Sequence, residues 1–251
     1  MKVTILGCGP SYGVPSLERG FGMCDPDNPK NVRTRSAILI ETEQTTLLID
    51  SGPEIRLQLI RAGTPKPDAV LYTHNHFDHM SGANDLRTLA VAKGGLNVWL
   101  TQKDETAFRE SFPYFFQDPS ANPFILGRVT PYREFRVNEM KIMPILQYHG
   151  ETTSVGYRIG NFAYSTDVKY MEEQGFELLK GIDTWVLGVV TRNENHKHIH
   201  LQTAFEWIER IKPRRVYLTH LGQRMDYETL CRELPDFIRP AYDGLSFDVN
   251  K

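Results

Sequence analysis

Short apolar runs rich in β-branched residues, Val3 to Leu6, Ala37 to Ile40 and Thr46 to Ile49, alternate with turn-forming residues along the first third of the chain. That pattern predicts buried strands. The polar stretch between the first two, Gly7 to Ser36, is long for a connection in a compact domain, and such segments are usually mobile or functional. We read it as functional. Residues 53 to 63, "PEIRLQLIRAG", place Pro at a first helical position and Ile55, Leu59 and Ile60 at helical spacing, then stop at Gly63, which predicts an amphipathic helix. A strand over 68–73, a helix from Asn84 to Lys93, a strand from Asn97 to Leu100 and a helix from Gln102 to Glu110 follow by the same reasoning. The Pro-containing aromatic stretch over 111–124, "SFPYFFQDPSANPF", interrupts this alternation.

Beyond it, Met140 to Tyr148, Ser154 to Gly160 and Asn161 to Ser165 carry strand patterns, with Gly160-Asn161 as a two-residue hairpin turn. "LQTAFEWIERIKP" then places Leu201, Phe205, Ile208 and Ile211 on one helical face, and the strand "RRVYLTH" over 214–220 echoes "DAVLYTH" over 68–74. Two sheet regions, each with helices and each ending a strand in Thr-His, predict an αββα sandwich: two mixed β-sheets flanked by helices, with a site along one rim.

Length and charge narrow the reading. With 251 residues, 40% of them hydrophobic, the chain is expected to form one domain over 1–251. Acidic and basic side chains nearly cancel, 31 against 29, so bulk charge points to neither a nucleic-acid nor a membrane partner. No stretch approaches the ~20 apolar residues of a membrane span, and the amino terminus is too short in apolar residues for a signal-peptide core. Cys8, Cys24 and Cys231 are odd in number, far apart and without a C-x-x-C pair, which suits a reducing, cytoplasmic location.

The chemistry concentrates in the eight histidines, which fall at 74, 76 and 79, at 149, at 196, 198 and 200, and at 220. "HNHFDH" sets His74, His76, Asp78 and His79 within six positions directly after an apolar run. On a continuing strand His74 and His76 share a face, and a bend after them turns Asp78 and His79 towards a second point, so one motif can serve two cations. Imidazole and carboxylate donors suit zinc, manganese or iron. Read alone, these residues would be polar groups capping the next helix, with Asp78 or Ser81 as N-cap, but their density has few purely structural causes. His149 before Gly150 would be a turn histidine on its own, and Asp167 a helix cap. As partners of the first cluster both become candidate ligands, and so does His220.

H-x-H-x-D-H at 74 to 79, His149 after a strand, Asp167 and Thr219-His220 resemble the metallo-β-lactamase superfamily in order and spacing. "GCGPSYGVP", "NPKNVRTRSAILIE", "FAYSTDV", "KHIHLQTAFEWIERIKPRRVYLTHL" and "PAYDG" are similar to its phosphodiesterase branch, which contains the phosphoribosyl cyclic phosphodiesterases of carbon-phosphorus lyase pathways. The tRNA 3′-processing endonucleases are more distant relatives. The resemblance implies that His74, His76 and His149 hold one divalent metal and Asp78, His79 and His220 a second, with Asp167 bridging. Asp78 or Asp167 is a candidate to orient the attacking water, and the resemblance implies that His198 is the catalytic histidine, with His196 and His200 as substitutes and His200 a candidate substrate contact. Lactam hydrolysis ranks low, because those members usually place a cysteine at the bridging position.

Two departures stand out. The first loop offers Cys24 after Cys8, and Gln223 and Arg224 follow His220, where relatives often supply more cysteines and another histidine for a structural zinc. Asn195, His196 and Lys197 also replace the Pro-Thr segment usual before the catalytic histidine. Arg33 and Arg35 are candidates for bidentate contact with a substrate phosphate, although arginines flanking a strand are more often surface charges. The expected partner is a small phosphodiester, and a homodimer, as in relatives, is an assembly to test. An RNA-processing endonuclease and a non-catalytic metal-binding protein of the same fold are the competing readings.

Overall fold

The computed structural model describes residues 1–117 and 122–250. Its strands, in chain order, are β1 Lys2–Gly7, β2 Ala37–Glu41, β3 Thr46–Ile49, β4 Ala69–Leu71, β5 Leu96–Leu100, β6 Phe124–Arg128 and β7 Phe135–Val137. β8 Met140–His149, β9 Thr152–Ile159, β10 Phe162–Ser165, β11 Thr184–Gly188, β12 Arg215–Thr219, β13 Ile238–Pro240 and β14 Ser246–Asp248 follow. The helices are α1 Ile55–Arg61, α2 Phe77–Met80, α3 Ala83–Lys93, α4 Gln102–Ser111, α5 Glu173–Leu179, α6 Leu201–Ile211 and α7 Tyr227–Glu233.

The strands form two seven-stranded sheets, in the orders β14-β1-β2-β3-β4-β5-β6 and β13-β12-β11-β10-β9-β8-β7. Both are mixed. In the first, β14 to β3 pair antiparallel and β3 to β6 parallel. In the second, β7 to β10 pair antiparallel and β10 to β13 parallel.

Strand alternation explains the layering. Ile38, Ile40, Leu47 and Ile49 face between the sheets and meet Ile142, Val155, Tyr157, Phe162 and Tyr164. Leu39, Leu48 and Val70 face outward and are covered by Ile55 and Leu59 of α1, Leu86 of α3 and Phe108 of α4. On the other side Trp185, Leu187 and Leu218 lie under Phe176 of α5 and under Ala204 and Ile208 of α6. The result is the αββα sandwich expected from the sequence. Tyr157 Oη donates to Tyr72 O at 2.6 Å and Val155 N to Thr73 O at 2.8 Å, tying the sheets together beside the histidine motif.

Some elements differ from the sequence reading. α1 begins at Ile55, after Glu54 as N-cap, and Pro53 lies outside it. Ile60 is 51% exposed while Gln58 is buried, because a helix of two turns turns only a narrow stripe onto the sheet. Positions 118–121 of the aromatic stretch lie outside the described residues; Phe112 and Phe115 before them join Phe108 in the outer core. No helix among the described residues is long and apolar enough to cross a membrane.

Candidate metal centre

The parallel strands of both sheets end on one rim, and the way they end builds the site. β4 stops at Leu71, and Tyr72 and Thr73 lead the chain to His74. His76 stays extended, at φ −65° and ψ 151°, and caps the one-turn helix α2. That turn is the bend expected after His76, and it folds Asp78 and His79 back beneath His74. β8 ends in His149. β10 and β12 each end just before a residue in the left-handed region, Asp167 at φ 52° and His220 at φ 57°, a conformation costly for a side chain other than glycine. The reversal turns both side chains inward.

Four groups of donor atoms result: His74, His76 and His149; His74, His79 and Asp167; Asp78, His79 and His220; and His149, Asp167 and His198, the atoms within each lying within 4.8 Å of one another. Asp167 sits at the middle. Its Oδ1 is 3.5 Å from His149 Nε2 and 3.4 Å from His220 Nε2, and its Oδ2 is 2.9 Å from His79 Nε2. Asp78 Oδ2 is 3.2 Å from the same His79 nitrogen.

Four of the rings are fixed through the other nitrogen. His74 Nδ1 lies 3.0 Å from Thr73 Oγ1, His79 Nδ1 2.7 Å from Asp50 Oδ2, His149 Nδ1 2.8 Å from Lys197 O, and His220 Nδ1 3.0 Å from Ser36 Oγ. The Nε2 atoms of these rings therefore converge on the centre, an arrangement typical of metal-ligating histidines. Nε2 of His74 is buried without a hydrogen-bond partner, which is costly unless an ion occupies the lone pair.

Charge points the same way. Burial pushes His74, His76 and His220 below the usual histidine range, so they offer neutral lone pairs. Burial alone would raise Asp78 and Asp167, but His79 and His220 around them reverse this and hold both carboxyls well below their ordinary value. Around His79 burial is likewise outweighed, by Asp78, Asp167 and Asp50, which hold its proton well above the ordinary range. Three carboxylates thus draw positive charge to a single buried point. Imidazoles and carboxylates without a thiolate suit a divalent metal such as zinc, manganese or iron, and the donor groups fit that chemistry.

The remaining candidates separate. His198 sits at the mouth, 14% exposed, with Nδ1 3.5 Å from Asp167 Oδ1 and its ring 4.6 Å from that of His149. His196 is exposed, and His200 turns Nδ1 to Thr203 Oγ1 at the start of α6; neither joins a donor group. Arg33 is 2% exposed, and its guanidinium donates to Met225 O at 2.7 Å, Asn31 Oδ1 at 2.9 Å, Gly222 O at 3.2 Å and Leu221 O at 3.3 Å. It clamps the first loop onto the turn after His220 and is spent on that, so the substrate contact expected of it does not fit. Arg35 pairs with Glu54 and donates Nε to Ser11 O at 3.0 Å. Asp50 and Ser36 had no place in the sequence reading. The available signal was Asp50 itself, an aspartate closing an apolar strand before Ser-Gly-Pro, as Asp167 closes another. It sits at φ 65° and is held by Thr73 N at 2.8 Å and Thr73 Oγ1 at 2.9 Å.

A family model described as a β-lactamase superfamily domain matches residues 45–221. An octanoyltransferase of Porphyromonas gingivalis is 32% identical over 257 residues, 100% of this chain and 52% of that protein. A ribonuclease Z of Clostridium kluyveri is 26% identical over 175 residues, 67% of this chain and 50% of that protein. The chain spans about half the length of these curated relatives. The crystal structure of a diphosphatase from the PhnP family matches at TM-score 0.92 and 30% identity, over 99% of this chain and 98% of that one. The chain belongs to the metallo-β-lactamase superfamily, on its PhnP-like branch.

Proposed function

We propose that the protein is a phosphodiesterase dependent on two divalent metal ions, acting on a small cyclic phosphodiester such as a phosphoribosyl cyclic phosphate or a cyclic nucleotide. The observation that carries this reading is the position of Asp167, whose one carboxylate lies between His149 on one side and His79 and His220 on the other. His74, His76 and His149 would hold one ion, Asp78, His79 and His220 the other, and Asp167 both. Bound there, the pair supplies charge neutralisation for the phosphoryl group and acidifies the attacking water.

The chain's own groups do the rest. Asp78, held ionised beside His79, accepts a hydrogen bond from the attacking water and orients it. His198 is pushed down to about 3 by burial, against the pull of Asp167, so it meets the substrate as a neutral imidazole. With Nδ1–H towards Asp167, Nε2 keeps a lone pair that accepts a proton from the attacking water or a substrate hydroxyl. Such a contact typically contributes ~10²- to 10⁴-fold.

Elemental analysis of the purified protein, paired with hydrolysis of bis(p-nitrophenyl) phosphate, tests the reading. Two metals per chain and turnover are expected. His198→Ala should lower kcat by ~10²- to 10⁴-fold at unchanged metal content, with His196→Ala near wild type. No turnover of any cyclic or linear phosphodiester or diphosphate by the metal-loaded protein would sink it. The likeness to ribonuclease Z favours a second reading as an RNA-cleaving enzyme, whose signature would be cleavage of precursor tRNA with steep salt dependence.

A further inference from the structure

The loop before α6 runs from Arg192, paired with Glu233 at 2.6 Å, to Ile199, buried in the outer core of the second sheet. It meets the centre at three successive residues. Lys197 O accepts a hydrogen bond from His149 Nδ1 at 2.8 Å, His198 Nδ1 lies 3.5 Å from Asp167 Oδ1, and Ile199 N donates to Val168 O at 2.7 Å. The Cγ of Lys197 is also 3.0 Å from the point a Cβ on Gly150 would occupy, so the loop packs on the turn right after His149.

Asn195 shapes this approach. Its Oδ1 accepts from Lys197 N at 2.8 Å and from His198 N at 3.2 Å, an Asx-type turn that holds the backbone ahead of α6. Both donors are backbone N–H groups, so the oxygen is fixed as the acceptor and the side-chain amide nitrogen takes no part in either bond. The consequence lies in one peptide unit. Lys197 C=O and His198 N–H belong to the same rigid plane, which also carries the Cα of His198. Its N–H is held by Asn195, and its C=O holds the ring of His149.

We propose that Asn195 is a positioning residue for the centre, which through the 197–198 peptide plane sets the His149 ring and the His198 side chain together. Releasing the plane moves the carbonyl off His149 Nδ1 and shifts His198 away from Asp167 in one motion. Metal binding and the work of His198 are therefore lost together, where replacing His198 alone removes only the second. The His198 half of the assignment rests on the phosphodiesterase reading above; the His149 half does not.

The test compares wild type with Asn195→Ala, Asn195→Asp and Asn193→Ala, the last an exposed position in the same loop. Metal affinity is read by competition with a chromogenic chelator, and turnover of bis(p-nitrophenyl) phosphate is read at saturating metal. Asn195→Ala should weaken metal binding by roughly 10-fold and, with metal saturating, still lower kcat by at least ~10-fold at little-changed KM. Asn195→Asp keeps an oxygen for both N–H groups and should return both quantities towards wild type. Asn193→Ala should match wild type throughout. Unchanged metal affinity in Asn195→Ala, full recovery of its kcat once metal saturates, or an Asn195→Asp protein no better than Asn195→Ala overturns the assignment. If wild type turns over no ester, the phosphodiesterase reading fails by itself and the chelator competition still decides. Affinity lost in Asn195→Ala and restored in Asn195→Asp then supports Asn195 as the support of His149, and equal affinity in all four proteins refutes it.

Discussion

The two sheets contribute to the centre in opposite ways. The first supplies His74, His76, Asp78 and His79 from one segment of six residues, bent by α2 and braced from behind by a charged group, Asp50. The second supplies His149, Asp167 and His220 from the ends of three strands, β8, β10 and β12, braced by the neutral oxygens of Lys197 and Ser36. One half is a local motif; the other exists only when its sheet is complete. The difference teaches where each half is vulnerable: the first through the buried carboxylate behind His79, the second through strand geometry.

Asp167→Ala should have the largest effect, because its carboxylate alone is shared between the halves. Activity towards bis(p-nitrophenyl) phosphate should fall on the order of 10³-fold or more, with metal content dropping below that of wild type. Retained stoichiometry and near-normal rate would dissolve the comparison, since neither half would then need a shared ligand. Next come the braces. Asp50→Ala removes the carboxylate behind His79 and should weaken metal binding by roughly 10- to 100-fold. Ser36→Ala, which removes only a hydroxyl from His220, should cost less than about 10-fold. Metal competition against a chromogenic chelator measures both, and a reversed order would show that the neutral brace governs.

The smallest effect lies far from the rim. Asp183, just before β11, is held down to about 2 by hydrogen bonds from Arg214, with Thr184 and Arg215 adding to them. A carboxyl depressed on folding contributes stability above its unfolded value, about 3.9, and loses that contribution as pH falls towards 2. Denaturant midpoints should therefore fall between pH 4 and pH 2 in wild type, and fall less steeply in Asp183→Asn. Hydrolysis at neutral pH should not change in that variant. An identical acid slope in both proteins would remove Asp183 from the account.

The same contrast explains what the sequence disclosed. His74 to His79 is legible because four donors in six positions leave little else to explain them. β8, β10 and β12 were readable as apolar runs, so the residues that end them could be ranked as candidates. Asp50 was not, because one aspartate before Ser-Gly-Pro looks like any turn, and its function appears only when Thr73 and His79 close around it. Arg33 misled in the other direction. A charged residue beside a strand usually faces water, and nothing local signals that four oxygens, three of them nearly two hundred residues further on, will enclose it. Short elements such as β7 and β13, three residues each, carry too few positions for a period to show and are fixed by their neighbours in the sheet.

Asp50, Asp167 and His220 each sit in the left-handed region, at φ 65°, 52° and 57°. Glycine would be more comfortable at every one of them. A search for thermostable variants of this protein, run blind to activity, should therefore drift towards glycine at these three strand ends and discard the reaction as it gains heat resistance. The conflict would surface as a ceiling: the stability an active form can reach is set by how much backbone discomfort the residues of its centre demand.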